Sequence, residues 1–434
     1  MSTQIKYLRL HIHRPGGGRE AIGYISAYGD ILRASFDESY IANPDRPTVS
    51  LSLLGENDIA TQAILRAPRD RRLTSSSGRL PAFFQNLLPE GHNRERLARE
   101  RGCDKDDEFE LLAAAGHDLT GALEVEPISR DEGIPKEVHH WHVAMGLDVL
   151  EPGFVEEPVE DAAALPGVVT KFSAVQEGRR YVVRRHGEAG SFILKLPSTR
   201  HPDLVEIEAK GYELCGALGL SCAGHAIVGR ADAELPEQVP FERMLAVRRF
   251  DRGPQGRRTH MEDFARVLGF TPRQKYGTDL CTDYGQMLRV LDHYSAQPAR
   301  DIQEFVNRIV AFVLLGNTDA HLKNWALMYP DGRHPVLAPL YDPVSVASFF
   351  AQVPAQDYAV NRAIDRRLSA LGWDDLERLL VLGGVTRTSA IIRRARALAQ
   401  KARESWPALL RNAPDAMHTE VLRRLNGGVR LSQA

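Results

Sequence analysis

Cysteine is scarce: Cys103, Cys215, Cys222 and Cys281 stand far apart in 434 residues with no C-x-x-C pair. That spacing points away from a structural zinc site and from a disulfide framework. No apolar run approaches the ~20 residues of a membrane span, and the N-terminus MSTQIKYLRL lacks the apolar core of a signal peptide. A cytoplasmic protein without a membrane partner is therefore expected. An excess of one charge is also missing, since 55 Lys and Arg against 57 Asp and Glu leave a net charge of −2. Such a chain has no global attraction for nucleic acid, and the arginine clusters around Arg69–Arg72, Arg179–Arg185 and Arg393–Arg396 read as solvated faces. There is no internal repeat and no G-x-G-x-x-G; Gly16–Gly18 in RPGGGREAIG lack a following Lys-Ser/Thr and read as a hairpin turn. His139, His140 and His142 have no carboxylate or cysteine at ligand spacing, so they are expected to be exposed or partner-facing instead of holding zinc.

What is present is an acidic loop. In GNTDAHLKNWALMYPDGRHPVLAPLYDPVSV, Asp319 and Asn324 stand five apart and Asp342 follows a strand–turn–strand pattern. A carboxylate and an amide so spaced on an irregular loop can reach a substrate hydroxyl and a phosphate-bound cation together, and D-x-x-x-x-N followed by a second Asp is the layout of a kinase catalytic centre. Mg²⁺ takes oxygen ligands and keeps several waters, so one amide and one carboxylate suffice beside phosphates. The apolar run VNRIVAFVLLG predicts a buried helix stopping at Gly316, WALMY and VLAPL predict strands, and PDGRHP a hairpin turn that returns Asp342 towards Asn324. By itself the spacing is weak, because Asp and Asn also populate loops for purely local reasons.

Upstream, GVVTKFSAV, RRYVVRRHG and SFILKLP read as three short antiparallel strands, with Lys195 in the third. A lysine there lays its stem along apolar neighbours and leaves its ammonium to meet phosphates. The segment LVEIEAKGYELCGALGL predicts a helix with Asp203 at its N-cap, and Glu208 one turn in is a candidate partner for Lys195, with Glu206 and Glu213 as rivals. Gly167 in LPGVVTK is a candidate for backbone N–H groups over phosphates. MLAVRRFDR reads as a strand whose exit, Arg248 to Phe250, either meets adenine or is ordinary core.

These pieces, together with FFQNLLPEG, LLAAAGHDLTGALEVEP and THMEDFARVLGFTPRQKYG, run in order along nearly the whole chain in a way that resembles the HipA family of bacterial serine/threonine kinases. The resemblance implies an α+β, two-lobed protein-kinase-like fold with an N-terminal α/β subdomain and an enlarged helical C-lobe. The boundaries expected are 1–127 for that subdomain, 128–164 for a linker, 165–252 for the nucleotide-binding lobe and 253–434 for the mainly helical lobe. It implies ATP and Mg²⁺ as cofactors, Asp319 as catalytic base, Lys195 and Glu208 as the phosphate lysine and its partner, and Asn324 and Asp342 as metal ligands. Gly167, Lys171, Arg248, Phe250, His321 and Lys323 are the remaining cofactor-binding candidates, while His260, Glu262 and Asp263 are expected to support the catalytic loop structurally. The acceptor implied is a protein hydroxyl, an aminoacyl-tRNA synthetase being one family substrate, with growth inhibition as the outcome. A HipB-like helix-turn-helix antitoxin is the implied partner, through which alone DNA would be met. Where family members carry a phosphorylatable serine in an S-G-x-Q-x-K loop, this chain has Pro166, so regulation by that route is in doubt. Two other readings remain: a non-catalytic kinase-like scaffold for a DNA-binding partner, and a small-molecule kinase with the same D-x-x-x-x-N loop.

Overall fold

The computed structural model describes residues 4–128, 133–139, 151–159, 162–165, 170–183, 189–197, 201–235, 241–277, 283–350 and 370–433. Gly167 and Pro166, the arginines at 184 and 185, His140, His142 and Cys281 lie outside them. Alternation of apolar residues makes the first unit: β1 (Gln4–His13), β2 (Arg19–Tyr28) and β3 (Ile31–Phe36) form an antiparallel meander, with the Gly16–Gly18 turn between the first two. β4 (Thr74–Ser75) extends it beyond β3, and β5 (Leu123–Pro127) pairs with β1 from the other side, giving the order β4-β3-β2-β1-β5. β6 (Glu151–Pro152), from the stretch expected to be a linker, adds to β1 in parallel, and Ala162 and Ala164 join the same core. The described parts of 128–164 thus pack against the first unit instead of spanning free space.

The second sheet is built from β7 (Lys171–Glu177), β8 (Arg180–Val182), β9 (Phe192–Lys195), β10 (His225–Gly229), β11 (Ala233–Glu234) and β12 (Arg243–Arg248), in the order β10-β12-β9-β7-β8-β11. The three strands expected around Lys195 are there and antiparallel. The helix Leu204–Ala217 joins β9 to β10; Asp203 occupies its N-cap position but makes no side-chain cap bond.

The second lobe is mainly helical. Its core is the helix Pro298–Leu315, buried along most of its length and flanked by Asp283–Tyr294 and by the amphipathic Thr388–Leu409, which buries Ile391, Ile392, Ala395, Leu398 and Ala399. A small sheet of β13 (His260–Asp263), β14 (Ala326–Tyr329) and β15 (Val336–Leu337) closes over one end. VLAPL yields only two strand residues, because beyond Leu337 the backbone turns to other partners: the Leu340 N–H donates to Ser221 O and Asp342 adopts a left-handed conformation.

The apolar alternation of TVSLSLLG predicts a strand in the first unit, yet Leu51–Leu53 form a short 3₁₀ turn capped by the Ser50 hydroxyl. The polar groups a strand partner would take are met by the other lobe: Val49 O accepts from His260, while Ser50 and the Leu51 N–H donate to Glu262. Leu51 is buried in the core of the helical lobe. No described helix is long and apolar enough to cross a membrane.

Candidate active site

Lys195 closes β9, in register with Leu245 of β12 and Lys171 of β7, and is 8% exposed. Its Nζ donates to Glu208 Oε1 at 2.5 Å and to Asp342 Oδ1 at 2.5 Å. Helical geometry chooses among the three glutamates: Glu208 shares the buried face with Gly211, Tyr212 and Cys215, whereas Glu206 pairs with Arg243 and Glu213 with Lys210. Gly211 is needed on that face because a Cβ there would lie 1.8 Å from the carbonyl oxygen of Pro343. This close approach carries the neighbouring Asp342 against the helix. Asp342 has φ of 60°, uncommon for a residue with a side chain, and is held by three contacts: Lys195, the Tyr212 hydroxyl that accepts from its N–H at 3.1 Å, and Asn317 Nδ2 that donates to its carbonyl at 3.3 Å.

Burial opposes charge on all of these groups, and the neighbours decide the outcome. For Asp342, Lys195 and then Lys171 outweigh burial and hold the carboxyl well below its ordinary range. For Lys195, Asp342 and Glu208 outweigh burial and raise it above its ordinary value. Burial raises Glu208, the charge of Asp342 acting in the same sense and Lys195 against it. Lys171 is pushed down to about 8 by burial, with Lys195 adding to the effect.

The opposite wall is the loop after Pro298–Leu315. That helix ends at Gly316, whose φ of 78° fits a left-handed cap. Asn317 then ties two loops together, its Oδ1 accepting from the Asp319 N–H at 3.2 Å while its amide donates to Asp342. Asn324 Nδ2 donates to Asp319 O at 2.8 Å, which leaves its Oδ1 as the atom suited to a cation. Tyr284 and Trp325, both buried, donate to Ala320 O and pin the loop to the helical core. Burial lowers the His321 pKa, and its Nδ1 is buried without a hydrogen-bond partner.

Every site residue expected from the sequence, except Gly167, lines one cleft of about 400 Å³ between the lobes. Arg248 and Phe250 stand at the β12 exit, where the Arg248 and Arg249 N–H groups donate to Gly224 O and Ser191 O. His260, Glu262 and Asp263 serve structure: the first two take the Val49–Leu51 turn, and Asp263 caps the helix Phe264–Val267. The residues fit a metal nucleotide. Lys195 and Lys171 line one wall with Asp342, and the Asp319 carboxylate, the Asn324 amide oxygen and the orphaned His321 nitrogen the other, with room between. Among the described residues no three His, Cys, Asp or Glu side chains group as a self-sufficient metal site.

Sequence reasoning missed Glu90, which lies in FFQNLLPEG and enters the cleft from the N-terminal unit. It stands at the N-cap of the helix Gly91–Arg101 but makes no cap bond; its carboxylate instead accepts from Lys323 and, at 3.2 Å, from Lys275. Burial opposes its ionisation, but Lys323 and Lys275 prevail and bring it down to about 2 from 4.5. A folded value below the unfolded one stabilises fully above pH 4.5, and that contribution is lost as pH falls through about 2. Glu90→Gln is therefore expected to cost about 3 kcal/mol, as when a buried pair loses one partner. It should also flatten the acid limb of stability and quicken hydrogen exchange in residues 317–325; unchanged exchange there would show that Glu90 does not brace the loop.

A family model described as the HipA-like C-terminal domain matches residues 163–406, and one described as the HipA N-terminal domain matches 18–126. The chain is 33% identical over 390 residues to "Putative kinase Y4dM" of Sinorhizobium fredii, covering 88% of each chain. It is 27% identical over 306 residues to the serine/threonine-protein kinase toxin HipA of Shewanella oneidensis, covering 63% of this chain and 64% of that one. Among solved structures, the Shewanella oneidensis complex of HipA, HipB and operator DNA superposes with a TM-score of 0.64 at 21% identity, over 98% of this chain and 96% of that one. The fold is thus the two-lobed, kinase-like one, and the chain belongs to the HipA family.

Proposed function

We propose that the protein transfers the γ-phosphate of ATP to a serine or threonine hydroxyl of another protein. The observation that carries this reading is Lys195 bonded to both Glu208 and Asp342 across a cleft from Asp319 and Asn324. Lys195 would grip phosphate oxygens, with Glu208 holding its ammonium in place. Asn324 and Asp342 would hold Mg²⁺, which supplies charge neutralisation on the phosphates when bound. Asp319 would orient the acceptor hydroxyl and take its proton. His321 and Lys323, on the same loop, would face the transferred group.

The test is labelled ATP–Mg²⁺ added to the purified chain in a bacterial lysate, with Lys195→Met alongside. Label is expected on a protein, falling by at least about 10²-fold in the variant, as positioning losses do. Label confined to small molecules would instead make this a small-molecule kinase, and nucleotide binding without transfer would make it a scaffold. The solved relative's complex with HipB and DNA supports a HipB-like DNA-binding partner for this chain. Affinity capture from the native host should then recover a small helix-turn-helix protein.

A further inference from the structure

The Tyr276 hydroxyl donates to Asp319 Oδ1 at 2.6 Å. On the phosphotransfer reading proposed above, on which this inference rests, Asp319 is where an acceptor hydroxyl must donate. Tyr276 therefore already makes, within the chain, the hydrogen bond that an incoming acceptor would make. Its backbone is held to that task. Gln274 Oε1 accepts from the Thr271 N–H at 3.0 Å and hydroxyl at 2.9 Å, the Gly277 N–H donates to Gln274 O at 2.8 Å, and the Lys275 carbonyl accepts from Leu322 in the catalytic loop at 3.0 Å. The ring stands edge-on to His321, 5.2 Å between centroids, and Lys275 lies 5.6 Å from its centre. Unlike Tyr284 and Trp325, which pin the loop from behind, Tyr276 is 38% exposed. A phenol–carboxylate bond of this length competes strongly with a hydroxyl of water.

We propose that Tyr276 selects the acceptor: it occupies the acceptor-hydroxyl position on Asp319 until a docked protein hydroxyl displaces it, and so keeps water from serving as acceptor. The reaction held back is hydrolysis. Water would bond to the γ-phosphorus, the bond to the β–γ bridging oxygen would break to release ADP, and the water proton would pass to Asp319 and on to solvent.

The experiment uses the full chain, wild type and Tyr276→Phe, with ATP–Mg²⁺ and no protein acceptor. ADP release by the variant is expected to rise about tenfold, a change of ~1.4 kcal/mol in barrier, with the affinity for ATP–Mg²⁺ within about twofold of wild type by calorimetry. Adding Asp319→Asn to Tyr276→Phe should abolish the gain. ADP release equal to or below wild type, with nucleotide still bound, overturns the proposal; a fall would make Tyr276 a residue that positions Asp319. Loss of nucleotide binding by the wild-type chain would instead overturn the phosphotransfer reading beneath it.

Discussion

Asp319→Asn is expected to lower phosphotransfer by about 10²–10⁴-fold, the range for loss of a general base, with little change in thermal midpoint. The amide matches the carboxylate in size and still offers an oxygen to the Tyr276 hydroxyl. The backbone restraints, an N–H donated to Asn317 and a carbonyl accepting from Asn324, do not involve the altered group. What is lost is the ability to take a proton. Nucleotide affinity should stay within a few-fold, since Lys195, Asn324 and Asp342 are untouched, so the deficit belongs in single-turnover rate and not in binding. A variant transferring label at the wild-type rate would remove Asp319 from the chemistry.

The largest expected effect on stability lies away from the phosphate-facing groups. Asp118 of the N-terminal unit, 1% exposed, accepts from Arg249 at 2.6 Å, Arg252 at 2.9 Å and the Ser173 hydroxyl at 2.5 Å. Asp251 completes the cluster by accepting from both arginines and from the Gly121 N–H. Two buried cations thus face two buried anions. Asp118→Asn leaves the set with one uncompensated positive charge and is expected to cost about 3–5 kcal/mol, seen as a drop in the thermal midpoint. Both carboxylates contribute to the pH dependence: against burial, Arg249 and Arg252 hold Asp118 well below its ordinary range and bring Asp251 to about 2 from 3.8. The stability that Asp251 gives is complete above pH 3.8 and disappears as pH falls through about 2. An unchanged midpoint for Asp118→Asn at neutral pH would show that the cluster is not stabilising.

The Asp319–Asn324 loop was legible because its geometry is local: a helix with a glycine stop, then Asp and Asn five residues apart, are all written within one stretch. Lys195 and Glu208 were half legible. Strand alternation located the lysine, but choosing Glu208 over Glu206 and Glu213 required seeing that it shares a helix face with Gly211 and Tyr212, which the spacing 208–211–212–215 contains. Glu90, Asp118 and Tyr276 were not legible as site or clamp residues. Their partners lie 233, 131 and 43 residues away in the chain, and nothing local to an acidic or aromatic residue tells which distant loop it meets. TVSLSLLG misled for the same reason: its alternation is real, but its partner is the Glu262 side chain of another lobe and not the backbone of a neighbouring strand.

On the phosphotransfer reading, the Asp118 cluster also bears on how nucleotide would enter and leave. Arg249 and Arg252 directly follow β12, where the chain passes from one lobe to the other, and Ser173 belongs to β7 of the nucleotide sheet. A rocking motion about that crossing would pull ionic partners apart in a dry environment. Exchange of a nucleotide bound as proposed is therefore expected to be nearly blind to solvent viscosity, which retards motions of whole lobes.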